Sequence, residues 1–450
     1  MTRRAQFTSA LALASVVYFL NYDWVYTSLF FNVNPLWRVG VDLLWPLLLV
    51  LCIHSISSGI VGASTVVKVS DLLAVDGLAL AGYSIFKPYI ASGGSLPWWV
   101  KLGMALGVLA LTLLAVRVVP EATWARLRLA FIFGVAIFFV SPQIVGRIDI
   151  QKQLSLSAAF HEPGRGTRAN AVVLVLDEWS YTAAAPVISA LSAGGRTVHA
   201  RGVQPSGKHT IGSIPGLLTG HPFDGARACS ASALCADAGT FDFSKQRISV
   251  PNFNLVGAYH PYCALNGLAY CRQFGVLSFD NGLVGFGCNF ATVLSLGHQF
   301  EICERQWLTA EKVARSRRAV SESAFIAPFW QTGGVLYIHT LLPHPPGESN
   351  GGNLDQDYAD NLKLASELAR DLLARLEQQF GNDFLLVVTS DHPLRPDVWC
   401  ATYRYRQDGC LADTGIESTQ VPLVAVGRNS ASLMTLTDNF GLFEQVLHAQ

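Results

Sequence analysis

Three apolar runs of this chain stop at side chains that can hold a cation. Ala171-Val-Val-Leu-Val-Leu176 runs into Asp177 and Glu178, Gly334-Val-Leu-Tyr-Ile338 runs into His339 and, a few residues on, His344, and Phe384-Leu-Leu-Val-Val388 runs into Asp391 and His392. Carboxylates with neutral imidazoles suit zinc or manganese. A divalent ion lowers the pKa of a bound hydroxyl enough for attack near neutral pH. Thr210 offers such a hydroxyl, in Lys208-His209-Thr210-Ile211-Gly212-Ser213-Ile214-Pro215, ahead of a run with helical spacing. A helix N-terminus there favours the negative charge of a bound phosphate or sulfate. Each group alone has a plainer use: Asp177 and Glu178 as helix caps, Asp391-His392 as a turn, Thr210 as an N-cap. Their shared position, at strand ends or strand-to-helix turns, favours a common site.

The surrounding pattern supplies the elements. Short continuous apolar runs mark strands buried on both faces. Helices are predicted over 183–193, 211–219 and 437–448, and over 355–380, where Leu362, Ala365, Leu368, Leu372 and Leu376 recur at helical spacing. Further strands are predicted over 197–203 and 421–426. Pro215 falls near the first turn of its helix, where proline is tolerated. Strands alternating with helices predict a mainly parallel sheet with helices on both faces, whose ligand sites form beyond the carboxyl ends of the strands. The stretch 222–330 has little periodicity and reads as loop-rich, with some strands and helices.

Composition divides the chain. With 51% hydrophobic and 14% charged residues it is more apolar than an ordinary soluble protein, and its formal charge of zero gives no field to draw in nucleic acid. Residues 1–146 contain five apolar segments, near 8–30, 37–57, 70–90, 97–117 and 127–146, each close to the roughly 20 residues a membrane-crossing helix needs. The third is the weakest, with Asp71, Asp76 and Lys87 in or beside it, and a re-entrant piece is the alternative. Arg3, Arg4, Lys68, Arg117, Arg126 and Arg128 all fall on one side of five crossings, the cytoplasmic side, and send the second half to the other. Residues 147–169 form a connector, interfacial helix or plain linker, and 170–450 form the extracytoplasmic part. Of nine cysteines only Cys52 lies in the apolar half. The other eight fall into neighbouring pairs, 229/235, 263/271, 288/303 and 400/410, that would close small disulfide loops, with scattered buried thiols or a metal cluster as the alternative.

The motifs together, Asn170 through Glu178, Thr210-x-x-Ser213-Ile-Pro215, His339-Thr-Leu-Leu-Pro-His344-Pro and Ser390-Asp391-His392, resemble the alkaline phosphatase superfamily. The membrane-anchored sulfatase-like branch, with the phosphoethanolamine and phosphoglycerol transferases, is the nearest match. The resemblance implies a five-helix transmembrane bundle followed by an α/β domain with a mainly parallel sheet sandwiched by helices. It makes Glu178, with Asp177 beside it, a metal ligand, together with Asp391, His392 and Thr210, the last also the nucleophile that becomes phosphorylated. His344 and His339 would bind the phosphoryl group or protonate the leaving oxygen, and Lys208 and His209 would add charge beside it or lie at the surface. Zinc is the metal expected first, then manganese or calcium.

Two departures bear on substrate. No Cys or Ser in a C/S-x-P-x-R context surrounds Thr210, which disfavours arylsulfate hydrolysis. Pro393 follows the Asp-His pair where glycine is usual, and Arg395, Arg404 and Arg406 occupy the region of an expected further histidine, suiting anionic groups. The expected activity is transfer of a phospho-headgroup, phosphoethanolamine or phosphoglycerol, from a phospholipid donor to a cell-envelope glycan or lipid. The protein would be a multi-pass component of a bacterial inner membrane with a periplasmic catalytic domain. Hydrolysis of phosphate or sulfate esters and a non-catalytic glycan-binding module are the other readings.

Overall fold

The computed structural model describes residues 170–275 save 231 and 249, 309–347, 353–406 and 418–448, with scattered positions elsewhere. The predicted crossings fall almost wholly outside the described residues, and the 147–169 connector entirely so. Among the described residues no helix is long and apolar enough to cross a membrane. The chain divides into two compact units, one of Met1–Val25, Asn34–Ile150 and Phe279–Cys303, the other of Tyr26–Val33, Gln151–Ser278 and Glu304–Gln450. In the first, Ser9 is buried and donates to Asp71 Oδ1 at 3.0 Å, and Cys288 is bonded to Cys303.

The second unit carries the α/β fold. Strand β1 is Asn170–Asp177, helix α1 Ala185–Ser192, strand β2 Val198–Val203 and helix α2 Thr210–Thr219. Three short strands follow, β3 Arg227–Ala228, β4 Ala233–Ala236 and β5 Gly239–Asp242, then β6 Phe253–Ala258 and β7 Tyr270–Phe274. Helices α3 Ala310–Phe325 and α4 Phe329–Thr332 lead into β8 Gly334–Pro343, and α5 Leu354–Phe380 into β9 Leu385–Ser390. Helix α6 Pro396–Ala401, β10 Val421–Gly427 and α7 Leu442–His448 complete it.

Seven strands form one sheet in the order β2-β10-β9-β1-β8-β6-β7, and β3, β4 and β5 form a separate antiparallel one. In the large sheet β10 alone runs antiparallel to its neighbours. All eight residues of β1 are buried, because β8 and β9 flank it in the sheet and both its faces are covered. The 27-residue α5 buries Leu362, Ala365, Leu368, Leu372 and Leu376, the stripe that its sequence spacing predicts. Its start is fixed by Asn353, whose side chain accepts from the Asp355 and Gln356 amides.

Two local expectations change. Strand β8 continues five residues past Ile338, keeping its pairing with β1 through Val175↔His339 and Leu176↔Thr340, so His339 lies within the strand and only His344 lies beyond its end. Helix α2 starts at Thr210, so Pro215 lies in its second turn rather than its first. A proline there has no N–H for the Ile211 carbonyl four residues back. The 222–330 stretch contains the small sheet as well as β6 and β7, which extend the main sheet beyond β8. All four expected cysteine pairs are disulfides: 229–235, 263–271, 288–303 and 400–410.

Candidate metal centre and nucleophile

The carboxyl ends of β1 and β9 meet the first turn of α2. Thr210 Oγ1 lies 3.0 Å from His392 Nε2 and 3.3 Å from Asp177 Oδ1. His392 Nε2 lies 3.5 Å from Asp391 Oδ2 and 3.8 Å from Asp177 Oδ1. One ligand atom each from Asp177, Asp391 and His392 falls within 4.8 Å of the others, a span one ion fits. The pair of strands brings together residues more than two hundred positions apart, and the Glu178 amide seals the join by donating to Asp391 Oδ1 at 3.2 Å. Behind it Ser390 Oγ donates to the Leu176 carbonyl and accepts from the Trp179 amide, both at 2.8 Å, and Asn439 holds the Ser390 carbonyl.

Buried polar atoms show what the cluster lacks. Asp391 Oδ1 takes the amides of Glu178 and His392, but among the described residues Asp391 Oδ2 and Asp177 Oδ2 are buried without a hydrogen-bond donor. Buried carboxylate oxygens are almost always satisfied, because leaving them bare is costly. Burial, then the neighbouring charges of Asp391 and Glu178, push the Asp177 carboxyl well above its ordinary value, and burial raises Asp391 as well. Burial holds His392 neutral, its pKa lowered to about 4. With His392 Nδ1 donating to the Pro393 carbonyl at 2.9 Å, the Nε2 lone pair faces Thr210. Two bare carboxylate oxygens, an imidazole lone pair and a hydroxyl are a donor set that fits zinc or manganese.

The adjacent acids separate. Asp177 points into the cluster, while Glu178, at φ 61°, turns its carboxylate to Arg395 and Trp399. Asp177, which the sequence motif places second to Glu178, is thus the β1 acid in the cluster, and Glu178 is not among the grouped donors. The register of β1 against β8 shifts between Leu176 and Asp177, and the left-handed residue next to that bulge sends the two side chains apart.

A second layer lies toward β8. His344 Nε2 is 3.9 Å from Asp177 Oδ2 and 3.3 Å from the Tyr259 hydroxyl. His339 Nδ1 is 2.8 Å from the Tyr262 hydroxyl, which also meets Tyr337. Burial holds both imidazoles neutral, His339 at about 4 and His344 well below its ordinary value. As neutral imidazoles, both can give or take a hydrogen bond. Arg317 braces the turn that carries His344, its buried guanidinium donating to the carbonyls of Leu341, His344 and Pro346 and to Asn361 Oδ1.

The remaining candidates are sorted by position. His209 is the N-cap residue of α2 and its Nδ1 meets Arg395, so both lie beside Thr210. Lys208 is exposed. Arg404 is committed to Asp357 Oδ2 at 3.1 Å, together with Tyr405, which makes it a brace for α5. Tyr259, His260, Tyr262, Tyr358 and Trp399 are site-wall residues that sequence pattern does not reveal. Tyr259, Tyr262 and Trp399 are aromatics in stretches without periodicity, and Tyr358 lies within the predicted 355–380 helix, all indistinguishable by type from ordinary core.

No protein-family model matches the chain, and no curated protein matches it. Among solved structures the chain is similar to an alkaline phosphatase superfamily protein from Vibrio parahaemolyticus, at 13% identity and a TM-score of 0.33 over 62% of this chain and 63% of that one. It is similar to Ps i-CgsB, solved with k-i-k-neocarrahexaose, at 15% identity and a TM-score of 0.34 over 58% of this chain and 66% of that one. It is also similar to the C-terminal periplasmic domain of the phosphoethanolamine transferase EptC from Campylobacter jejuni, at 13% identity and a TM-score of 0.33 over 60% of this chain and 82% of that one. These likenesses are too distant to assign a reaction, which only the donor set and geometry around Thr210 can support.

Proposed function

We propose that this chain is a metal-dependent phosphoester transferase with Thr210 as its nucleophile. The observation that carries the reading is the Thr210 hydroxyl at a helix N-terminus, 3.0 Å from His392 Nε2 and beside two buried, donorless carboxylate oxygens. A divalent ion, zinc first, held by Asp177, Asp391, His392 and Thr210, would supply charge for the phosphoryl oxygens and lower the hydroxyl's pKa. Thr210 Oγ1 bonds to the phosphorus of a phospholipid headgroup diester as the bond to the diacylglycerol oxygen breaks, and that oxygen takes up a proton. The hydroxyl of an envelope glycan or lipid then bonds to phosphorus, the bond to Thr210 Oγ1 breaks, and the threonine regains its proton. The covalent step divides one difficult transfer into two. Neutral His344 donates an N–H toward the phosphoryl group, and the amides of the first turn of α2 favour its charge. Disulfides in the α/β unit support a location outside the cytoplasm, and the apolar 1–146 segment supports a bacterial inner-membrane anchor.

The test uses purified full-length protein with labelled phosphatidylethanolamine or phosphatidylglycerol. The expected result is diacylglycerol release that depends on an added glycan acceptor and falls by about a thousandfold or more in Thr210→Ala. Release to water alone would make the chain a hydrolase. Release unchanged in Thr210→Ala would overturn the reading, and no release with any donor would leave the glycan-binding module in its place.

A further inference from the structure

We propose that Glu178 is a positioning residue, which fixes Arg395 as the site's arm for phosphate oxygens and takes no part in holding the metal. The proposal rests on the transferase reading and concerns the division of labour within the same site.

The carboxylate of Glu178 is fully buried and both its oxygens are filled. Oε1 accepts from Arg395 Nε at 3.0 Å and from Nη2 at 2.8 Å, and Oε2 accepts from Trp399 Nε1. The two acids of the cluster each retain a bare oxygen, so Glu178 differs from them in the property a ligand needs. Its backbone is pinned as firmly as its side chain, the amide on Asp391 Oδ1 and the carbonyl under the Tyr358 hydroxyl at 2.9 Å. Those contacts keep the residue at its left-handed φ and keep the carboxylate turned from Asp177.

Glu178 holds the Nε–Nη2 edge of Arg395. Its Nη1 reaches the ring of His209, the residue immediately before the nucleophile, so the guanidinium lies across the mouth of the α2 N-terminus. Its side chain is 27% exposed whereas that of Glu178 is 0% exposed, so the arginine faces the side from which a substrate arrives. Of the five N–H groups of a planar guanidinium, the bonds to Glu178 and His209 take three and leave one on each Nη for the oxygens of a phosphate. Trp399, which completes the Glu178 pairing, packs perpendicular to the His344 ring, so the arm and the second-layer imidazole share one wall. The ligand class is an anionic phosphoryl group, free or esterified.

The test separates metal from phosphate binding in the full-length protein. Zinc affinity and inorganic phosphate affinity are measured by calorimetry for wild type, Glu178→Gln, Arg395→Gln, Trp399→Phe and Asp391→Asn. Expected zinc affinities for Glu178→Gln, Arg395→Gln and Trp399→Phe lie within about threefold of wild type, while Asp391→Asn loses about a hundredfold. Phosphate binding to the zinc-loaded protein is expected to weaken about tenfold or more in Arg395→Gln and about threefold in Glu178→Gln and Trp399→Phe. Zinc loss in Glu178→Gln as deep as in Asp391→Asn overturns the proposal, as does phosphate binding unaltered in Arg395→Gln. Should Glu178→Gln not fold, Trp399→Phe decides the positioning role, and phosphate binding unaltered there overturns it. Zinc retained in Asp391→Asn would instead fail the metal-centre reading itself, a different outcome.

Discussion

Asp177 and Asp391 are two fully buried carboxylates, and among the described residues one oxygen of each has no donor. Their folded pKa values lie above the unfolded ones, so each stabilises the metal-free fold only below its unfolded value near 4, and that contribution is lost as pH rises through the folded value. At neutral pH the ion-free protein therefore carries a strain that a divalent ion removes. Asp391→Asn is expected to raise the melting temperature of chelator-treated protein while abolishing its response to zinc. Wild type should gain about 2.7 kcal/mol at a hundredfold excess over its dissociation constant, readable as a zinc-dependent melting shift. His339 has the opposite sign: with a folded pKa of about 4, it stabilises the fold above its unfolded value near 6.5. The denaturation midpoint should fall as pH drops from 6.5 toward 4, and His339→Gln should flatten that slope. Asp391, His392 and Thr210 were legible in the sequence because each directly follows or begins a periodic element. Which of Asp177 and Glu178 faced the cluster was not, since it depends on one bulge and the sign of one φ.

At the scale of elements, the site depends on a turn that no regular structure holds. The residues just beyond β8 carry His344, and its carbonyl, with those of Leu341 and Pro343 at the end of the strand, is gathered by Arg317 from α3 and Asn361 from α5. Arg317→Met leaves several buried carbonyls unsatisfied and is expected to cost about 3 kcal/mol or more in chemical denaturation, with phosphate affinity falling alongside as His344 loosens. The alternation of β1, α1, β2, α2, β8, α5 and β9 could be read from apolar runs because both faces of the sheet are covered. The β3 to β7 region could not, since short strands such as Arg227–Ala228 carry no period and loops closed by Cys229–Cys235 and Cys263–Cys271 replace the apolar pattern that usually betrays an element. The end of β8 was misplaced for a related reason: His339 and Thr340 look like loop residues, yet both are wholly buried in the strand.

For the whole molecule, the disulfides compensate for that weak patterning. They close loops with sequence separations of 6, 8, 15 and 10 residues, each worth on the order of 2–3 kcal/mol in a chain-entropy account. Reduction of the folded protein is expected to lower its melting temperature and raise protease cleavage within 222–330 before the β1–β9 core is cut, which mass spectrometry of the fragments would show. Cleavage appearing first in the core would contradict it. The position of β1 adds a constraint of time rather than of energy. The strand that begins this fold lies at the centre of the sheet, and its partners across Asn170–Asp383 and Glu178–Asp391 come 213 residues later. A ribosome must finish β9 before β1 has both neighbours, so its apolar surface must wait while the 213 residues from Glu178 to Asp391 are made. The same long-range pairing that assembles a competent centre also guards against a premature one, for no nascent fragment short of His392 contains the parts to react.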